Sequence, residues 1–111
     1  MDHYDRNPYY HPEHQGVTTV ATIDWREPCY DFDMTVVWRR EDGTYAMASD
    51  SGCSRPSPFE NTVFADLPVM TRQEVMAALT ADFTERAGTY GLDESGKRSY
   101  MSALETLAVA A

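Results

Sequence analysis

The sequence predicts a single α+β domain in which a short antiparallel sheet is packed by two C-terminal helices. Two observations carry this prediction. Apolar and polar residues alternate through 31–38 and return through 44–49, which is typical of a β-hairpin. Two later stretches, about 72–87 and 94–108, instead have apolar residues at helical spacing. The length of 111 residues is near the usual size of one domain.

An N-terminal arm is predicted to precede the domain. Residues 1–16 hold all three histidines of the chain together with Pro8, Pro12 and Gly16, which interrupt regular structure. We therefore expect a flexible or partly ordered arm, followed by a single domain over 17–111.

The first strand is predicted over about 17–25, where β-branched residues are frequent. We expect it to join the sheet that the following hairpin forms. With a period of two, one face of this strand would carry Val17, Thr19, Ala21, Ile23 and Trp25.

Residues of about 31–49 have the pattern of a β-hairpin. A turn containing Gly43, which can adopt a positive φ, connects the two strands. The alternation predicts one face on the core and the other in solvent, so Asp31 and Asp33 are expected to be solvated. The apolar face of the first strand would consist of Phe32, Met34, Val36 and Trp38.

The segment 49–60 (SDSGCSRPSPFE) is expected to be an irregular, stiff connection. Gly52, Pro56 and Pro58 interrupt any regular element, and each proline favours an extended conformation in the residue before it. Asp50 is expected to stabilise this connection by accepting hydrogen bonds from backbone N–H groups.

Two helices are predicted, over about 72–87 and 94–108. Thr71 and Glu74 have the spacing of a capping box at the start of the first helix, and Gly88 is expected to end it. Because the connecting loop is short, the helices are expected to be antiparallel neighbours. The predicted buried stripes are Val75, Met76, Leu79 and Phe83 in the first helix, and Tyr100, Met101, Leu104, Leu107 and Ala108 in the second.

The chain is strongly acidic: 18 Asp and Glu against 9 Lys and Arg give a formal net charge of −9. This charge repels the nucleic-acid backbone, so we expect no direct nucleic-acid binding. It favours either simple solubility or, alternatively, docking onto a basic partner or mimicry of DNA. No apolar run approaches the roughly 20 residues that a membrane span needs, and the polar N-terminus predicts a cytoplasmic location.

Cysteine and histidine are the residues that could carry chemistry. Cys29 and Cys53 are expected to be thiols in a reducing compartment, and a structural role is favoured over a nucleophilic one for Cys53. With His11 and His14 they include the ligand types of a zinc site, but paired ligand spacing is missing. We therefore predict no catalytic residue, no metal and no cofactor.

Aromatic residues are numerous, with seven Tyr and two Trp. Ordinary packing explains them in one interpretation. In the other, they form an exposed patch beside the 49–60 connection, because aromatic residues and Arg are favoured at binding hot spots. The second interpretation gives a candidate binding surface formed by Trp38, Tyr45, Asp50, Cys53, Arg55 and Phe59.

Three stretches carry a resemblance to a known family: YDFDMTVVW at 30–38, SDSGCS at 49–54 and PSPFE at 56–60. Together they resemble a family of small uncharacterised proteins, encoded by phages of actinobacteria and by related bacterial genomes, with an SDSGCSxPSPFE-type loop. Where the family pattern has a second cysteine, this chain has Arg55. The resemblance covers about residues 28–88, implies a phage accessory protein acting inside a bacterial host, and carries over no catalytic residue.

The predicted function is therefore that of a non-enzymatic phage accessory protein, active in host takeover or counter-defence. It would bind a host or phage protein in the host cytoplasm through the hairpin and the 49–60 connection. Two alternatives stay open: an enzyme or small-molecule-binding protein centred on Cys53, and an acidic mimic of DNA.

Overall fold

A computed structural model describes residues 7–26, 31–53, 59, 62–89 and 91–109. It confirms the predicted α+β fold, with the sheet first in the chain and two helices after it. The regular elements are β1 (Val17–Asp24), β2 (Asp31–Arg40), β3 (Tyr45–Cys53), α1 (Arg72–Thr89) and α2 (Glu94–Val109), with 3-10 turns at Pro12–Gln15 and Phe64–Asp66.

The three strands form one antiparallel sheet in the order β1-β2-β3. The hairpin is longer than the sequence predicts, because β3 continues through residues 49–53 and ends at Cys53. These residues pair with the beginning of β2, so their backbone groups join the ladder despite their polar side chains. Gly52 is tolerated within the strand because Phe32 pairs with it and covers it: a Cβ at Gly52 would lie 3.4 Å from the Phe32 ring.

A β-bulge in β1 corrects the predicted face of that strand. The register with β2 shifts between Thr19 and Ala21. As a result, Val17 packs in one core cluster, whereas Ala21 and Ile23 pack in the other. Thr19 is exposed, so the prediction of one common face from Val17 to Trp25 is wrong.

Both faces of the sheet are buried, whereas the alternation predicts a solvent-facing side. The helices cover one face, on which Thr35 and Val37 are fully buried. The buried hydroxyl of Thr35 has hydrogen-bond partners there. Its Oγ1 accepts a hydrogen bond of 2.9 Å from Nε1 of Trp25 and lies 2.7 Å from Oγ of Ser49. The core cluster on this face consists of Ala21, Ile23, Trp25, Val37, Tyr45, Val75, Leu79, Tyr100, Ala103 and Leu107.

The opposite face is covered by irregular segments from before and after the sheet. Pro8 is fully buried, and its carbonyl oxygen accepts a hydrogen bond of 3.1 Å from Nε1 of Trp38. Residues 7–16 of the predicted arm therefore pack on the domain. The core cluster on this face consists of Val17, Met34, Val36, Trp38, Ala46, Phe59 and Phe64.

The predicted capping box of α1 is confirmed. The backbone N–H of Glu74 donates to Oγ1 of Thr71 at 3.1 Å, and the backbone N–H of Thr71 donates to Oε1 of Glu74 at 2.9 Å. The helix continues past the predicted stop at Gly88 and ends at Thr89. Gly91, with a φ of 70°, adopts the left-handed conformation in the connection to α2.

The buried side of α2 differs in part from the predicted stripe. Met101 and Ala108 are exposed, because the helix turns Tyr100 and Leu107 inwards together with Gly96 and Ala103. The two helices are antiparallel, as predicted.

Arg72 joins the beginning of α1 to the end of α2. Its Nη1 donates to the carbonyl oxygens of Leu107 at 3.2 Å and Ala108 at 3.3 Å. This contact satisfies carbonyl groups that the end of α2 leaves without intrahelical partners.

None of the helices in the described part of the chain combines the length and the apolar character that crossing a membrane requires.

Candidate functional site

A cleft opens where the second half of α1 and the beginning of α2 meet the sheet. Its volume is about 630 Å³. Trp25, which is fully buried beneath the guanidinium of Arg86, is among the residues around it, and charged side chains dominate the remaining lining. These are the carboxylates of Asp33, Asp82, Glu85 and Asp93 and the guanidinium groups of Arg26 and Arg86. We call this feature the Arg86 cleft.

Arg86 is held at the centre of the cleft by three contacts. Its Nη1 donates to Oδ2 of Asp33 at 2.6 Å, and its Nε donates to Oδ1 of Asp82 at 2.9 Å. Its guanidinium carbon lies 4.5 Å from the centre of the Trp25 ring, within the range of a cation–π interaction. Only 18% of the side chain is exposed, so these contacts are shielded from bulk water.

Local structure explains why these side chains converge. Asp82 and Arg86 are one turn apart on α1, which places them on the same face of the helix. The backbone N–H of Trp25 donates to the carbonyl oxygen of Asp33 at 2.9 Å, so the end of β1 is held beside β2. The indole of Trp25 is fixed in turn by its hydrogen bond to Thr35. The sheet therefore presents an indole and a carboxylate to the arginine of α1.

Aromatic stacking makes the inner wall of the cleft rigid. The ring of Trp25 stacks on Tyr100 with 6.1 Å between ring centres, and Tyr100 stacks on Phe83 at 4.2 Å with nearly parallel planes. The hydroxyl of Tyr100 also donates to Oγ1 of Thr80 at 3.2 Å. Such contacts fix the rings against one another and so hold Trp25 in place beneath Arg86.

The surroundings of Arg86 and Asp93 favour the ionised forms of these two side chains. Burial by itself lowers the pKa of Arg86, but the hydrogen bonds to Asp33 and Asp82 outweigh this effect, so the pKa is raised from its ordinary value. The pKa of Asp93 is lowered, mainly by a hydrogen bond from the backbone N–H of Gly96 and then by one from Ser95. A permanently charged arginine does not exchange protons, so Arg86 itself is suited to charge recognition and not to acid–base catalysis.

Three residues of the predicted binding surface lie in the core. Trp38 and Phe59 are fully buried and Tyr45 is 3% exposed, so the expectation that they form an exposed aromatic patch is wrong. The physical reason is that both faces of the sheet are covered, by helices on one side and by irregular segments on the other. The interpretation of ordinary packing accounts for these three residues.

Asp50 has the structural role that its sequence context predicts. Its Oδ2 accepts the backbone N–H of Phe59 at 2.8 Å, and its Oδ1 accepts that of Ser51 at 3.0 Å. The first of these bonds fixes Phe59, whose φ of 60° is unusual for a residue other than glycine. The remaining predicted residues, Arg55 and the side chain of Cys53, lie outside the described part of the chain.

The sequence interpretation missed Arg86 and misplaced Asp33. Asp33 was expected to be solvated, but only 21% of its side chain is exposed, because it faces α1 and binds Arg86. The i, i+4 spacing of Asp82 and Arg86 was a readable signal for an ion pair on one helix face. The sequence contains no local signal that Asp33 joins this pair, because Asp33 is 53 positions away from Arg86 in the chain.

Arg86 is expected to stabilise the fold measurably. Arg86→Ala should lower the free energy of unfolding by about 2 kcal/mol, because it leaves two half-buried carboxylates without their cation and uncovers the indole of Trp25. Urea denaturation measures this loss, and Arg98→Ala, at an exposed position of α2, serves as the control. A loss equal to that of the control would show that the three contacts contribute nothing to stability.

Comparison with known proteins gives a family but no function. A protein-family model described as "Domain of unknown function (DUF7574)" matches residues 6–108. No curated protein and no solved structure matches the chain.

Proposed function

The chain belongs to the family of domains of unknown function DUF7574, and from that premise we propose that it is a non-enzymatic protein-binding module whose Arg86 cleft receives a basic segment of a partner protein. One observation carries the proposal. In a chain of net charge −9, the Arg86 cleft is lined by four carboxylates against two guanidinium groups.

The chemistry of the cleft fits an arginine or lysine side chain. A carboxylate can accept about four hydrogen bonds, so the contacts to Arg86 leave further acceptor capacity on Asp33 and Asp82. Glu85, on the exposed side of α1, adds a carboxylate at the rim. Acidic groups around a concave site also raise the local concentration of a basic partner and accelerate its association.

A small organic ligand is a poorer match for this cleft. The volume lies within the range of small-molecule sites, but such sites are lined mainly by apolar and aromatic side chains. Here charged groups predominate, since six of the ten lining residues are charged. A protein segment that brings its own charged side chains satisfies such a lining better.

The setting we propose is the cytoplasm of a bacterial host, with a phage accessory role in host takeover or counter-defence. The resemblance of the 30–38 and 49–60 stretches to proteins of actinobacteriophages supports this part of the proposal. Ser51, which belongs to the second of these stretches, also lines the cleft.

Glu85 offers the sharpest test, because substitutions of the buried Tyr45 or Phe59 would disturb the core. We expect Glu85→Lys to weaken binding of a short arginine-rich peptide by about fivefold, the effect of roughly 1 kcal/mol for an exposed charge pair. Fluorescence anisotropy with a labelled peptide measures the affinity, which should also fall as salt concentration rises.

The matched control is Glu105→Lys, which makes the same change of charge on the exposed side of α2 and outside the residues that line the cleft. This variant should bind the peptide nearly as well as the unchanged protein. Equal weakening by the two variants would mean that the peptide responds to overall charge, and the proposed site would then be wrong.

A further inference from the structure

A second group of side chains, which could bind a metal ion, lies at the 3-10 turn that precedes β1 and is not part of the Arg86 cleft. It consists of His11, Glu13 and His14. One potential ligand atom from each residue lies within 4.8 Å of those of the other two. We propose that these three residues bind a zinc ion.

The turn geometry brings the two imidazoles together. In a 3-10 helix, side chains three positions apart eclipse one another. His11 is the residue before the turn at Pro12–Gln15, and His14 follows it by three positions. Their rings accordingly stack with 4.7 Å between centres and 7° between planes.

Glu13 supplies the third donor between the rings. Its Oε1 lies 3.1 Å from Nδ1 of His11 and 3.9 Å from Nε2 of His14. Tetrahedral zinc with bonds of about 2.0–2.1 Å holds neighbouring donor atoms about 3.3 Å apart. The two distances to Glu13 lie near this value, and ligand atoms of all three residues come within 4.8 Å of one another. Rotation of the side chains, which must turn the nitrogens of the two stacked imidazoles toward one ion, would complete the site.

The backbone that carries these donors is held by the core. Asn7 is 3% exposed, and its carbonyl oxygen accepts the backbone N–H of His11 at 2.9 Å. The carbonyl of the neighbouring Pro8 accepts the indole N–H of Trp38. Gly16 closes the turn in the left-handed conformation, with a φ of 68°. A site on such an anchored segment needs little reorganisation to bind its ion.

The donor types favour zinc over magnesium and calcium. Two imidazoles and one carboxylate form a donor set that occurs in zinc sites, whereas magnesium and calcium prefer oxygen donors throughout. Exposed fractions of 41% for the His14 side chain and 64% for that of Glu13 leave the site within reach of ions in solution. From the sequence, His11 and His14 belong with Cys29 and Cys53 to the ligand types of a zinc site, but no metal is predicted. That prediction did not include Glu13, which the turn places beside both imidazoles.

Isothermal titration calorimetry with zinc chloride tests the proposal on the full chain, purified without a histidine tag. We expect one zinc ion per chain and no heat of binding with magnesium chloride. His14→Ala and Glu13→Gln should each weaken zinc binding by about 100-fold or more, since even groups behind the ligands contribute 10–100-fold. Saturating zinc should also raise Tm by about 5 °C, because the ion ties the turn to the folded state.

Two further variants make the test decisive. Glu105→Gln, which removes one exposed carboxylate elsewhere, should leave zinc binding unchanged. The double variant Cys29→Ser/Cys53→Ser should also bind zinc as before. Loss of zinc binding in this double variant, or unchanged binding by both His14→Ala and Glu13→Gln, would overturn the proposal.

Discussion

Replacing Trp38 by alanine is expected to lower the free energy of unfolding by about 4 kcal/mol, as is typical of a fully buried tryptophan. The ring packs edge-on against Phe59 at 5.8 Å and against Phe64 at 5.7 Å, and its Nε1 donates to the carbonyl oxygen of Pro8. The substitution would leave a large cavity and a buried carbonyl oxygen without its donor. Domains of this size have a total stability of about 5–15 kcal/mol, so the variant should be close to unfolding.

Urea denaturation followed by circular dichroism measures this effect, with Met101→Ala as the control. Met101 belongs to the predicted buried stripe of α2 but is 54% exposed, so its truncation should change stability by about 0.5 kcal/mol or less. Similar losses in the two variants would contradict the burial of the second face of the sheet.

Gly96→Ala is expected to be the second most disruptive substitution, with a loss of about 3 kcal/mol. Alanine normally stabilises the interior of a helix relative to glycine by about 0.5–1 kcal/mol. Here a Cβ would collide with the backbone carbonyl oxygen of Trp25 and approach its carbonyl carbon to 3.1 Å. Because backbone atoms cannot turn away as a side chain can, α2 would have to move off the sheet.

Gly88→Ala is the matched control on α1, where an added Cβ meets nothing within 4 Å. This substitution should stabilise the protein by about 0.5–1 kcal/mol, so the two glycine variants are expected to change Tm in opposite directions. Thermal unfolding measures both. A neutral or stabilising effect of Gly96→Ala would show that α2 does not pack directly on the chain at Trp25.

The elements of the fold were predictable wherever local chemistry specifies them. The capping box of Thr71 and Glu74 marks the start of α1, and the alternation in 31–38 marks the strand of the hairpin. A helix start and a strand each depend on residues that are neighbours in the chain. Both could therefore be predicted without knowledge of the tertiary structure.

Features that depend on distant segments were not predictable in the same way. The bulge between Thr19 and Ala21 changes which side chains share a face, and no residue type announces it. In an alternating pattern, a polar residue such as Thr35 is expected to face solvent, but Trp25, which follows the end of β1, donates a hydrogen bond to it in the core. The buried second face misled the site prediction too, because it turned Trp38 and Phe59 from candidate contacts into core residues.

The candidate site was therefore only partly accessible from sequence. The net charge pointed to a basic partner as one interpretation, and Asp82 and Arg86 had the spacing of an ion pair. The convergence of Asp33 and Trp25 on that pair depends on how α1 crosses the sheet. Long-range packing of this kind leaves no trace in local spacing.

The central claim, that the Arg86 cleft receives a basic segment, is tested most directly by NMR titration of the full ¹⁵N-labelled chain. The titrants are a short arginine-rich peptide and its counterpart with glutamate at the same positions. We expect the arginine peptide to shift the indole N–H signal of Trp25 and the backbone signals of Glu85 and Asp93, and the glutamate peptide to shift none of them. Shifts spread over the acidic surface, with these three signals unchanged, would contradict the claim.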